Sequence, residues 1–128
     1  MRPPHSWRST FRYALEGIRY TLRTQINMRM HAAISLCVIA AGIVFHISRM
    51  EWLFIITACA LVMMAELLNT AVEAVVDLVS PDAHPLAKAA KDTAAGAVLL
   101  AAVFAVIIGL IVFYQPLLAL LRHWLYTI

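Results

Sequence analysis

Residues 65–78 read AELLNTAVEAVVDL, an apolar run broken by four polar side chains, Glu66, Asn69, Glu73 and Asp77. Steps of three, four and four bring all four onto one helical stripe, about 80° wide at about 100° per residue. The residues around the stripe are as apolar as those of a membrane-spanning helix, where carboxylates are costly to hold. The natural compensation is a positively charged partner gripped by the stripe, such as a metal ion.

On the N-terminal side, the run from Trp52 to Ala65 is uncharged but shorter than the roughly 20 residues a bilayer requires. Continued through residue 79 it crosses easily, and the acidic stripe must then face the bundle interior or a watery cleft rather than lipid. Ser80-Pro81-Asp82 ends this helix, because proline does not fit a helix interior. Residues 31–48 form an earlier uncharged span, separated from the span at 51–79 by a brief turn, Ser48-Arg49-Met50-Glu51. Residues 80–92 are the most polar linker, and 93–115 are a third apolar span that Gln115-Pro116 interrupts near its end. The tail, 117–128, is apolar and aromatic apart from Arg122 and His123.

Residues 7–26 read as an amphipathic helix. Trp7, Phe11, Leu15, Ile18, Leu22 and Ile26 share one face, with Arg12, Glu16, Arg19 and Arg23 on the adjoining one. Basic residues beside an apolar aromatic face mark a helix lying in the membrane interface. The predicted fold is therefore an all-α integral-membrane protein, an N-terminal surface helix followed by three transmembrane helices. It forms one domain over residues 1–128.

Composition agrees. The chain has 128 residues, 63% hydrophobic and 13% charged, with mean hydropathy +0.85; soluble domains carry about 25% charge. Its pI near 9.2 does not require nucleic acid, because the basic residues cluster beside the spans, where anionic lipid headgroups are the simpler partner. The two cysteines, Cys37 and Cys59, lie in apolar runs with no metal-ligand spacing and read as buried, reduced thiols. The polar start MRPPHSWRST lacks the pattern of a secretory signal. Gly96 and Gly109 read as helix-packing positions. Arginines 2, 8, 12, 19, 23 and 29 precede the first span, and Lys88 and Lys91 lie between the second and third, against Arg49 and Arg122 on the other side. That bias predicts a cytoplasmic N-terminus and a cytoplasmic 80–92 linker, so the end of the stripe near Glu73 and Asp77 meets ATP and magnesium.

Carboxylates with an amide suit Mg²⁺, a hard cation that takes oxygen ligands and arrives with substrate phosphates. Lys91 across the linker suits nucleotide phosphates, and a carboxylate not engaged with metal suits a general base toward a lipid hydroxyl. No P-loop or protein-kinase glycine loop is present. Other readings stay open for each residue. The polar stripe can serve as interhelical hydrogen bonding, Asp92 as the N-cap of the third helix, Lys88 and Lys91 as topology signals, and His84-Pro85 as turn chemistry.

The stretch Glu66-Leu-Leu-Asn69-Thr-Ala-Val-Glu73-Ala-Val-Val-Asp77, followed by HPLAKAAKD at 84–92 and an apolar third helix, resembles the prokaryotic diacylglycerol kinase and undecaprenol kinase family of small membrane lipid kinases. The resemblance covers nearly the whole chain. It implies a homotrimer in the bacterial inner membrane, with sites shared between subunits, and direct transfer of the γ-phosphate of ATP to a lipid alcohol. It also implies roles. Glu66 is the general base, with Asn69 and Asp92 organising the site. Glu73 binds Mg²⁺, Lys91 contacts the phosphates, and Asp77, His84 and Tyr13 lie by the nucleotide. Family members usually carry a second metal-binding Glu where this chain has Gln25, which offers a neutral oxygen instead. The HPLAKAAKD form is more like the undecaprenol kinase branch than the diacylglycerol kinase branch. A non-catalytic membrane subunit or an ion-conducting oligomer is the rival class, since either can also line acids along a bundle.

Overall fold

A computed structural model describes residues 6–127, all helical apart from short connections. Arg2, counted above among the basic residues, and Ile128 of the tail lie outside the described residues. Four helices follow in order: α1 (Trp7–Thr24), α2 (Ile26–Val44), α3 (Arg49–Val79) and α4 (Pro85–Thr127). The last three are long and apolar enough to cross a membrane.

Each helix begins on a local signal. Ser6 caps α1 in a reciprocal capping box with Ser9. α1 ends at Thr24, and the extended backbone of Gln25 (φ −103°, ψ 118°) both caps α1 and starts α2, so the expected helix over 7–26 is cut two residues early and the first span begins at Ile26 rather than at 31. Ser48 accepts from the Glu51 backbone N–H while the Glu51 carboxylate accepts from the Ser48 N–H at 2.7 Å. Arg49, Met50 and Glu51 therefore form the first helical turn of α3 and not the predicted connection. The Ser-x-x-Glu spacing is the capping-box signature that marks this start.

The actual α2–α3 turn is a Schellman motif. Ile47 N–H donates to the Gly42 carbonyl and His46 N–H to the Ile43 carbonyl, both at 3.2 Å, with His46 in the left-handed region at φ 51°. Gly42 is required here. A Cβ at that position would lie 2.8 Å from Trp52 Cη2 and 3.0 Å from Ile47 Cδ1. Gly96 and Gly109, the glycines expected at helix contacts, have no neighbour within 4 Å of a would-be Cβ.

α4 departs most from expectation. It begins at Pro85, so residues 85–92 of the predicted linker are its first two turns, and Asp92 sits inside the helix instead of capping it. Proline at the first helical position lacks only an N–H that the helix would leave unpaired in any case. At the other end the helix passes through Pro116 without a break and carries the tail. Proline is tolerated inside an apolar helix of this kind, at the cost of one backbone bond.

α3 packs mainly on α4 and next on α2, with α1 touching both α2 and α3. The core is a cluster of Ile47, Ile55, Val112 and Phe113, backed by Phe45, Trp52 and Cys59. It lies at the α2–α3 turn. Cys37 is exposed and Cys59 half-buried, and both are free thiols. The expectation that both would be buried fails because so few helices cover only part of each other, leaving apolar faces outward for lipid.

Candidate active site

Residues 80–84 turn the chain between α3 and α4, which sets the C-terminal half of α3 beside the opening turns of α4. Burial along the α3 stripe is graded. Glu66 is 1% exposed and Asn69 6%; Glu73 is half-buried and Asp77 exposed.

Among the described residues, neither oxygen of the Glu66 carboxylate has a hydrogen-bond partner. Thr70, one turn on, donates to the Glu66 backbone carbonyl at 2.9 Å and leaves the carboxylate alone. Burying such a group without a partner is unfavourable, so the position makes sense as a receptor for something that arrives with a donor or a positive charge. Asn69 donates through Nδ2 to Glu73 Oε1 at 3.2 Å, while its own Oδ1 is buried and unpartnered. Gln25 reaches over from the α1–α2 junction and donates through Nε2 to Glu73 Oε2 at 3.4 Å.

Toward the rim, Lys91 of α4 pairs with Asp77 of α3, and Lys88 pairs with Asp92. Asp77, Asp82, His84, Lys88, Lys91 and Asp92 line a cavity of about 720 Å³. His84 has a structural task as well: its Nδ1 accepts the Leu86 N–H at 3.1 Å and its carbonyl accepts the Lys88 N–H at 3.0 Å, which caps the start of α4. The ring nitrogen that faces the backbone is therefore unprotonated, and Nε2 carries the hydrogen in the neutral form.

The fold thus assembles the sequence-predicted residues into two linked groups, Glu66–Asn69–Glu73–Gln25 and Asp77–Lys91–His84–Asp92. Tyr13 is not among them. It is exposed on α1 with the Arg12 guanidinium 5.2 Å above its ring. Sequence reasoning treated His31 only as an extension of the first span. It lines the apolar cavity among α2, α3 and α4 together with Val62, one turn before Glu66. The signal for it was an ionisable residue at the edge of an apolar run.

Among the described residues, no cluster of three or more acidic, histidine or cysteine side chains could hold a metal by itself. One carboxylate and two amide side chains do converge, with the amide nitrogens donating to the carboxylate. The Glu73 carboxylate lies with the amides of Gln25 and Asn69, and the buried Asn69 Oδ1 has no other bond. Such a donor set, with one charge and otherwise neutral oxygens, fits a Mg²⁺ that keeps several waters and shares substrate phosphates.

The profile of the prokaryotic diacylglycerol kinase family matches residues 12–113. The chain belongs to that family. It is 48% identical over 113 residues to a diacylglycerol kinase of Synechocystis sp., a match covering 88% of this chain and 65% of the relative. It therefore spans just under two thirds of that protein's length. It is 45% identical over 108 residues to an undecaprenol kinase of Bacillus subtilis, covering 84% of this chain and 88% of the relative. With a diacylglycerol kinase of Escherichia coli K12 it shares 32% identity over 95 residues, 74% of this chain and 78% of the relative. The named relatives are lipid kinases. The family match contains every residue of the two polar groups and stops at Phe113, before the last turns of α4.

Proposed function

We propose that this chain is a lipid kinase that transfers the γ-phosphoryl group of Mg·ATP to the hydroxyl of a membrane lipid alcohol, undecaprenol. The observation that carries the reading is Glu66. It is a buried carboxylate whose oxygens have no partner among the described residues, one turn from the Asn69–Glu73 pair on the helix whose C-terminal end borders a lysine-bearing polar cavity. A structural carboxylate in a helix bundle would have its oxygens engaged; a general base waiting for a hydroxyl would not.

In this mechanism Glu66 takes the proton of the lipid hydroxyl as the lipid oxygen attacks the γ-phosphorus. The bond from phosphorus to the bridging oxygen breaks, and ADP departs. Asn69 holds the Glu73 carboxylate in place through its 3.2 Å hydrogen bond. Glu73 and Gln25 would hold Mg²⁺, which would supply neutralisation of phosphate charge. Lys91 exchanges Asp77 for the phosphates. The exchange is easy because that ion pair is partly open to water and worth little on its own. Asp92 ties down the first turns of α4 through Lys88, and Asp77, His84 and Tyr13 flank the nucleotide.

The setting follows the charge pattern. α1 lies in the cytoplasmic interface of the bacterial inner membrane, with its Trp7, Phe11 and Leu15 face, exposed in one chain, buried in the headgroup boundary. The N-terminus and the α3–α4 connection are cytoplasmic, by the excess of Arg and Lys on that side. A homotrimer with sites shared between subunits accounts for Tyr13, which one chain leaves outside the polar group.

Diacylglycerol is the second candidate acceptor, favoured by the 48% identity to a protein of that name; the HPLAKAAKD form of residues 84–92 favours undecaprenol. Purified protein given Mg·ATP and a panel of lipid alcohols separates the two by kcat/KM. Turnover highest on undecaprenol supports the proposal, turnover highest on diacylglycerol moves it to the other branch, and no turnover on any lipid points to a non-catalytic subunit or ion-conducting oligomer.

A further inference from the structure

We infer that residues 117–126 are a second interfacial anchor, an amphipathic helical segment seated in the lipid headgroup layer on the membrane face opposite the polar site. This goes beyond the kinase reading and requires only that α4 spans the bilayer.

The first argument is length. α4 has 43 residues, about 64 Å at about 1.5 Å per residue, against a hydrocarbon core about 30 Å thick. Residues 93–113 contain no charge and by themselves span about 31 Å. Contacts fix where the bundle ends. Phe113 meets Phe45 at the end of α2, with ring centroids 6.1 Å apart, and Val112 and Phe113 pack with Ile47 of the α2–α3 turn. Leu117 still lines the cavity bordered by Ala41, Phe45 and Phe113; the turns after it run past the last turn of α2, and everything after Phe113 lies outside the family match.

The second argument is pattern. Residues 93–113 are apolar on every side, as a lipid-crossing helix must be. Beyond Pro116 the pattern becomes one-sided. At about 100° per residue, Leu117, Leu118, Leu120, Leu121, Trp124 and Leu125 fall within an arc of about 160°, and Arg122, His123 and Tyr126 occupy the opposite arc. Leu117, Leu120, Leu121, Trp124 and Leu125 are all exposed, so the described residues leave much of this stripe uncovered. An apolar stripe with a basic and aromatic border is the composition of a helix lying along the membrane surface, with Trp and Tyr at headgroup depth.

The third argument is the hinge. Pro116 has no N–H for the Val112 carbonyl, and its ring crowds that carbonyl, so bending is least costly where the two patterns meet. Charge selects the occupant of the stripe. Residues 93–128 carry no acidic side chain, and lipid phosphate supplies an anion for Arg122 at headgroup depth.

The test uses the full chain labelled with fluorotryptophan in lipid nanodiscs and read by fluorine NMR, the Trp124 signal being assigned by its loss in Trp124→Phe. A nitroxide carried near the lipid headgroup should broaden that signal several-fold more than one carried at the chain end. Leu121→Glu, which charges the apolar stripe, should remove most of the difference. Stronger broadening from the chain-end nitroxide would place Trp124 in the core. Broadening only by a water-soluble paramagnetic chelate would place it in solvent, and broadening by none of the three would place it against a second copy. Each of those results overturns the inference, as does a Leu121→Glu signal that behaves like the parent.

Discussion

At one end of the bundle Ile47, Ile55, Val112 and Phe113 close an apolar cluster with Trp52 wedged against Gly42. At the other, Glu66 and Asn69 are buried just as deeply yet leave three oxygen atoms without partners. The first arrangement has nothing left to satisfy. The second is incomplete among the described residues, and in the proposed mechanism its partners are a lipid hydroxyl and a cation with its phosphates. The same helix, α3, supplies Ile55 to one end and Glu66 to the other, so tight packing at the far end can hold the unsatisfied end in place.

Substitutions at the two ends should therefore fail in different ways. Glu66→Gln is the sharpest test. If the buried carboxylate is the general base, lipid phosphorylation should fall by about 10²- to 10⁴-fold. Thermal unfolding in detergent should stay the same or rise, since a buried acid is removed. Full activity would break the assignment. At the apolar end, Gly42→Ala should do the reverse. Its Cβ would meet the Trp52 ring at 2.8 Å, and overpacking of that kind costs about 1–3 kcal/mol. Denaturant unfolding should register that loss, while kcat at low temperature stays near the parent value. A drop in kcat without a drop in stability would show that the two ends are not separable.

Gln25→Glu probes the polar end more gently. It sets a second carboxylate opposite Glu73 in place of the present 3.4 Å amide contact. The Mg²⁺ concentration for half-maximal activity should fall several-fold, and the metal-free protein should unfold at a lower temperature because like charges now face each other. Unchanged Mg²⁺ dependence would detach Gln25 from the metal. The smallest effect is expected at His46, held at φ 51° in the Schellman turn. Glycine there should stabilise the chain by up to about 1 kcal/mol, read as a higher unfolding temperature with activity unaltered.

Several helix ends were readable in the residues and went unread. Ser48 and Glu51 announce the start of α3, and Pro85 suits the first position of α4, yet the charged letters around them look like loop. Asp92 shows the limit of such reading. A polar residue ahead of an apolar run resembles a cap, and only the helix beginning at Pro85 shows that it lies inside. Pro116 shows the converse, since a proline that would end a soluble helix is carried within an apolar one. Gly42 lies in an apolar run as Gly96 and Gly109 do, and only the packing of Trp52 against it sets it apart.

What the chain alone determined is whatever depends on spacing along one helix: three apolar stretches long enough to span, and one stripe on which Glu66, Asn69, Glu73 and Asp77 must align, because helical periodicity leaves no alternative. What only the tertiary structure decided is whatever depends on the approach of two helices. It brought Gln25 to Glu73 and Lys91 to Asp77, and it left the Glu66 oxygens without a partner among the described residues. Residues far apart in sequence have no periodicity in common, so their meeting is set by packing and turn geometry.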